Sequence, residues 1–214
     1  AGTGKGGNVE TSAKNLLGVS GVVDISSENG RGGYWLLDPT SVTVNGSADP
    51  IGGTTVGASS IETALNLGGT VEIQSDTFIT FNENVSKTDG ADSSLILNAG
   101  TNITISSGKT LSSIRNKLNI DFGTGSATTG TIEILGSIAT NGGNVTFYKD
   151  AKLSSATPIS TKITETSNGI SGNVHFTKDL YLAAPGYSVT VDTTGAETTG
   201  YTGSGGFIRI DGSV

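Results

Sequence analysis

Of the side chains that could do chemistry, the chain of 214 residues carries one histidine, His175, and no cysteine. His175 stands between Val174 and Phe176, so strand alternation points its ring outward while its neighbours point inward. A solvated surface histidine is the reading that follows. Zinc requires three or four converging side chains, and a Ser-His-Asp triad requires a base held by a carboxylate. Asp89-Gly90-Ala91-Asp92 offers two carboxylates, but the Gly-Gly-x-Gly-x-Asp repeat of calcium-binding rolls is missing and so is an EF-hand loop. It reads as an Asp/Gly turn. Gly2-Thr3-Gly4-Lys5-Gly6-Gly7 lacks the spacing of a phosphate loop and the helix that should follow one. Cleavage of acidic polysaccharide would call for clustered Asp, Lys and Arg on one face. The outward positions are instead mainly Thr, Asn and Glu, with Arg209 isolated, and no carboxylate pair is spaced for glycoside hydrolysis. These residues predict no catalytic, cofactor-binding or metal-binding site, and no enzyme.

Modification is the remaining chemistry. Asn-x-Ser/Thr triplets start at Asn45, Asn84, Asn102 and Asn144, and these are the four candidate glycosylation sites. The 15 Asn, with 57 Ser and Thr among 214 residues, account for such a number by chance. An intact mass equal to the sequence mass would remove them.

The elements that carry these residues are short strands. Apolar residues bracket a polar one at Val71-Glu72-Ile73, Ile79-Thr80-Phe81, Ile103-Thr104-Ile105, Leu118-Asn119-Ile120, Ile132-Glu133-Ile134, Val145-Thr146-Phe147, Val174-His175-Phe176, Val189-Thr190-Val191 and Ile208-Arg209-Ile210. Each such strand has one buried and one wet face. A sandwich or barrel would show the same alternation. Hairpin signals are few, however, with Asn45-Gly46 and Asn141-Gly142 foremost. Glycine pairs instead open strands repeatedly, at Gly6-Gly7, Gly32-Gly33, Gly68-Gly69, Gly142-Gly143 and Gly205-Gly206. Recurring corners of this kind predict an all-β, parallel β-helical solenoid. At roughly 20 residues per turn the chain would make about eight to ten rungs, and at about 4.8 Å each a rod roughly 40 to 50 Å long. Residues 45–58 read as a loop leaving the shaft, followed by a short helix over 61–67 that Ser60 caps and Gly68 ends. Residues 150–170 read as a second protruding loop.

Composition agrees. Glycine supplies 33 residues and aromatics only 6%, a thin supply for a globular core, yet β-formers recur too regularly for disorder. The absence of cysteine excludes disulfides, which stacked rungs do not need. A net charge of −7 with 12 scattered Lys and Arg argues against nucleic acid or an anionic membrane as partner. No run of 18 apolar residues occurs, so membrane insertion is not expected. The first residues lack the basic-then-apolar pattern of a signal peptide. The pattern is already running at the start and still running at Gly206-Phe207-Ile208-Arg209-Ile210, as in a segment of a longer shaft.

One stretch is more specific. Gly30-Arg31-Gly32-Gly33-Tyr34-Trp35-Leu36-Leu37-Asp38-Pro39 runs into Ser41-Val42-Thr43-Val44, and Gly4-Lys5-Gly6-Gly7-Asn8-Val9-Glu10-Thr11-Ser12 precedes it with the same design. Of Tyr34 and Trp35, one ring should pack inward and the other lie along the surface. Asp38-Pro39 should end the strand and turn the corner. Gly32, Gly33, Trp35, Leu36, Leu37, Asp38 and Pro39 thus form a structural motif. Over residues 4–44 it resembles the large exoproteins of bacterial two-partner secretion, among them filamentous haemagglutinins and high-molecular-weight adhesins. The likeness continues more loosely through 61–73 and 95–99. The resemblance implies a right-handed parallel β-helix, a secreted or cell-surface location, an outer-membrane transporter as partner during export, and a host-cell receptor or glycan as the bound partner. It implies no cofactor. The family's Asn-Pro-Asn tripeptide is missing, which suggests shaft from downstream of the secretion domain. On this reading partner contacts belong to the excursions at 45–58 and 150–170.

Overall fold

The computed structural model describes residues 4–14, 17–28, 30–47, 54–125, 130–154, 158–163, 169–182, 188–195, 197–198, 201–202 and 204–214. Their strands fall into three parallel sheets. Sheet A contains, in spatial order, β1 (Asn8–Ala13), β3 (Tyr34–Pro39), β6 (Thr70–Ser75), β9 (Ser93–Ala99), β12 (Leu118–Phe122), β15 (Val145–Phe147), β18 (Val174–Phe176) and β23 (Ile208–Ile210). Sheet B contains β2 (Gly18–Val19), β5 (Thr55–Gly57), β4 (Val42–Asn45), β7 (Ile79–Phe81), β10 (Ile103–Ile105), β13 (Ile132–Ile134), β16 (Ala151–Leu153) and β19 (Leu180–Leu182). Sheet C contains β8 (Val85–Lys87), β11 (Thr110–Ser113), β14 (Ser137–Ala139), β17 (Ile159–Ser160) and β20 (Val191–Asp192). A separate antiparallel pair joins β21 (Glu197–Thr198) to β22 (Tyr201–Thr202). Among the described residues no sheet closes into a barrel.

From β6 onward the chain visits A, B and C in turn and re-enters A one strand further along. This order is consistent with a parallel β-helix. Because each pairing keeps one register, like side chains stack into columns. One inward column of sheet A runs Leu37, Ile73, Leu97, Phe122, Phe147, Phe176. Its three phenylalanine rings lie nearly parallel, with centroids 4.9 and 4.7 Å apart. A column of sheet B runs Val44, Phe81, Ile105, Ile134, Leu153. These residues are buried in one continuous core, where each large apolar side chain contributes about 1.5–3 kcal/mol.

The interior also holds polar groups where each turn leaves sheet C for sheet A. Lys87 is fully buried, and its Nζ donates to the carbonyls of Asp89 and Arg115 at 2.7 and 2.6 Å. Ser113, which pairs with Lys87, donates to the Arg115 and Asn116 carbonyls. Thr140 and Thr161, both buried, donate to the carbonyls of Gly143 and Gly172. A tight corner leaves carbonyls facing inward, and buried acceptors require a donor.

Several sequence expectations change here. Residues 54–57, read as loop, are buried, and β5 inserts between β2 and β4 of sheet B. The glycines around Val56 hid a strand with a single large apolar residue. The helix α1 (Ala58–Asn66) starts three residues earlier than read. Gly57 is its N-cap, and Ser60 is buried inside it with no hydrogen-bond partner for its hydroxyl. Gly68 follows α1 with a φ of 71°, the left-handed conformation glycine adopts without strain. Residues 150–170 contain β16 and β17, whose Lys152 and Ser160 face outward beside buried Leu153 and Ile159. The parts of the two expected loops at 48–53, 155–157 and 164–168 lie outside the described residues. Asn45-Gly46 and Asn141-Gly142 are not hairpins, since the strands flanking each belong to parallel sheets. Asn141 and Gly142, at φ 49° and 90°, instead turn the corner from β14 into β15. Of Val189-Thr190-Val191 only Val191 is in a strand.

Candidate functional site

The five glycine pairs within the described residues serve one corner. Gly6-Gly7, Gly32-Gly33, Gly68-Gly69, Gly142-Gly143 and Gly205-Gly206 precede β1, β3, β6, β15 and β23, the entries to sheet A. Successive turns come so close there that side chains do not fit. A Cβ on Gly33 would lie 2.0 Å from the Gly7 carbonyl oxygen, one on Gly172 1.9 Å from that of Gly143, and one on Gly206 2.0 Å from that of Gly172. The nitrogens of Tyr34 and Thr70 donate to the carbonyls of Gly7 and Gly33. Further along, carboxamides take over from glycine carbonyls. Asn119 Oδ1 accepts the Asn144 N–H at 3.0 Å, Asn144 Oδ1 accepts that of Asn173 at 2.8 Å, and Asn173 Oδ1 accepts that of Phe207 at 3.0 Å.

Because the corner has little side-chain bulk, it forms a groove of about 810 Å³ across the first five turns. Backbone at Gly33 and Gly69 makes part of its wall, with Asn8, Tyr34, Thr70 and Asn119 beside them and Lys5 and Arg31 at one end. Lys5 and Arg31 are exposed and form no ion pair among the described residues. Tyr34 is half-buried, and its hydroxyl donates to the Glu72 carboxylate. Burial, and after it that bond and the Glu72 charge, hold the phenol well above its ordinary pKa. Such a groove offers hydroxyls, carboxamides, one aromatic ring, the Asp92 carboxylate and two cations that have no ion-pair partner among the described residues.

Next to the groove, the outward face of sheet A is acidic. Burial raises the Asp38 carboxyl above the ordinary aspartate value, and the charges of Asp76, Glu10 and Glu72 raise it further. Glu72 also accepts from Asn98 Nδ2 at 3.0 Å. Asp121, two turns on in the same outward column as Glu72, is raised by burial.

The motif residues lie in β3 and in the corner before it. Trp35, Leu37 and Pro39 are buried, Leu36 and Asp38 face outward, and Gly32 and Gly33 form the corner. Trp35 fills the core and its Nε1 donates to Thr11 Oγ1 at 3.1 Å, while Tyr34 lies along the surface. Three of the four candidate glycosylation asparagines are tied into the frame. Asn84 Oδ1 accepts the Thr110 N–H, Asn102 Oδ1 that of Thr131, and Asn144 belongs to the corner ladder. Asn45 ends β4. The outward hydroxyls are also partly used. Thr40 donates to the Lys14 carbonyl, Thr77 to that of Thr40 and Thr101 to that of Thr77. His175 Nε2 lies 2.8 Å from Asp211 Oδ2, and Arg209 Nε donates to the other oxygen of Asp211 at 2.6 Å. His175 lowers the pKa of Asp211, and Arg209 lowers it further. Among the described residues no three His, Asp or Glu side chains converge as metal ligands, and no helix is long and apolar enough to cross a membrane.

Sequence reasoning placed partner contacts on the excursions and missed the groove. Its signal was present in the glycine pairs, which were read as turns rather than as the wall of a channel. No protein-family model matches the chain, and no curated protein matches it.

Proposed function

We propose that the three sheets wind as a right-handed parallel β-helix of eight to ten rungs, and that this rod is a shaft segment of a secreted, cell-surface exoprotein with an adhesive and not a catalytic role. Right-handed crossover is the rule for parallel strands in one sheet, and the repeated A-B-C visiting order supports the winding. The resemblance of residues 4–44 to two-partner-secreted exoproteins supports the location and the outer-membrane transporter as export partner. The observation that carries the adhesive reading is the groove, where Lys5 and Arg31 stand unpaired on a chain of net charge −7. Two cations against the single carboxylate of Asp92, beside carboxamides and a ring, favour a glycan with carboxylate or sulfate groups.

Binding to immobilised acidic and neutral polysaccharides tests this. The acidic ones are expected to bind saturably, less as salt rises, and Lys5→Ala with Arg31→Ala to weaken binding by about tenfold for each 1.4 kcal/mol lost. Equal binding of both variants and of the parent chain would remove the groove from the account. Release of new reducing ends from the same polymers would replace adhesion with hydrolysis.

A further inference from the structure

Asparagine is followed by glycine at Asn29, Asn45, Asn141 and Asn168, and Asn29 and Asn168 lie outside the described residues. Before glycine, the side-chain carbonyl carbon of asparagine is open to attack by the next backbone nitrogen, because that residue has no Cβ to block the approach. The two described sites are held very differently. Asn141 is 4% exposed and its Nδ2 points at the Asn116 carbonyl, while the Gly142 N–H donates to the Thr161 carbonyl at 3.0 Å. Both the attacking nitrogen and the group it would displace are thus engaged. Asn45 ends β4 on the outward face of sheet B, half-buried, and the Gly46 and Ser47 that follow are exposed. Among the described residues neither its carboxamide nor the Gly46 N–H has a hydrogen-bond partner. One turn on, Asn82 occupies the same outward position and is tied, its Oδ1 accepting from Ser106 Oγ at 2.8 Å.

We propose that Asn45 is a site of spontaneous deamidation, with Gly46 nitrogen as nucleophile and water as co-reactant, and that the fold protects the same dipeptide at Asn141. Gly46 nitrogen gives its proton to solvent and bonds to Asn45 Cγ. The Cγ–Nδ2 bond breaks, and Nδ2 takes a proton from water and leaves as ammonia. Water then opens the five-membered imide: addition at Cγ returns aspartate, and addition at the main-chain carbonyl gives isoaspartate, with the chain running through Cγ. One water replaces one ammonia, and nothing is oxidised or reduced. Either product sets a carboxylate where a neutral carboxamide stood. Isoaspartate also lengthens the main chain at the residue paired with Gly57 of β5, the N-cap of α1. Asn45-Gly46-Ser47 is one of the four glycosylation triplets, and deamidation removes the nitrogen to which a glycan would be joined. The site lies on sheet B, so the reaction is independent of whether the groove binds a glycan.

Incubation of the folded chain in mildly alkaline buffer, followed by proteolysis and tandem mass spectrometry, reads each dipeptide separately. The peptide holding Asn45 is expected to gain about 1 Da as NH2 gives way to OH, and to accept methyl groups from an isoaspartate-specific methyltransferase. The Asn141 peptide should keep its mass. In urea both should convert, because unfolding frees the Gly142 N–H and the Asn141 carboxamide alike. Gly46→Ala should lose most of the conversion at Asn45 and keep the thermal midpoint, since a Cβ there meets only Glu83 Oε2, at an ordinary 3.6 Å. Conversion of Asn141 as fast as Asn45 in the folded chain would overturn the proposal. So would an Asn45 peptide that converts in urea yet stays intact in the folded chain, or one that converts equally in Gly46→Ala.

Discussion

At Asp38 the structure sets a charge where the fold resists it. Burial and the neighbouring Asp76, Glu10 and Glu72 hold its carboxyl above the ordinary value, so the folded state favours the protonated form. A raised acid stabilises the fold at low pH, below its unfolded value of about 3.9, and that contribution is lost as pH rises through the folded value. Asp38→Asn is therefore expected to raise the melting temperature near neutral pH and to leave it unchanged in acid. Equal shifts at both pH values, measured by thermal denaturation, would refute the electrostatic cause. Lys87 presents the opposite case, a buried cation that the corner carbonyls of Asp89 and Arg115 require. Lys87→Met keeps the apolar stem and removes the donor to the Asp89 carbonyl, while Ser113 Oγ still donates to that of Arg115. A loss of about 1–3 kcal/mol is expected for the one stranded carbonyl, measured by urea denaturation.

The corner element rests on close approach of backbone. Gly172→Ala puts a methyl 1.9 Å from the Gly143 carbonyl oxygen, so neighbouring turns must separate, at about 1–3 kcal/mol. Gly7→Ala should be nearly neutral, since a Cβ there meets nothing within 4 Å. Comparing the two denaturation midpoints separates crowding from any general effect of removing glycine. At this scale the sequence was legible where periodicity was strong. Ile79-Thr80-Phe81, Ile103-Thr104-Ile105 and Val174-His175-Phe176 are strands with the bounds their alternation implied. It was not legible where a strand had too few apolar residues to show a period, as in Thr55–Gly57, or where polar residues faced inward for the sake of carbonyls, as at Lys87 and Thr140. The groove depends on which glycines stack over which, and that registration belongs to the wound chain and to no local stretch of it.

Across the whole molecule each turn touches mainly the turns before and after it, so stability is close to a sum of turn and interface contributions. Among the described residues the stack of Phe122, Phe147 and Phe176 is the longest aromatic contact crossing those interfaces. Phe147 is its middle member, in contact with both neighbours. Phe147→Ala should cost about 3–5 kcal/mol, and its effect should not spread evenly. It weakens the two interfaces that couple the strands from β12 toward β1 with those from β18 toward β23. The N-terminal part keeps its own columns, including Trp35, Leu37, Ile73 and Leu97, whereas the C-terminal part has exposed Ile208 and Ile210 and a smaller core. Hydrogen exchange should then show the amides of β18 and β19 opening well below the global unfolding free energy while those of β3 and β6 keep their protection. A uniform fall in protection along the chain would mean that the three sheets unfold as one cooperative unit.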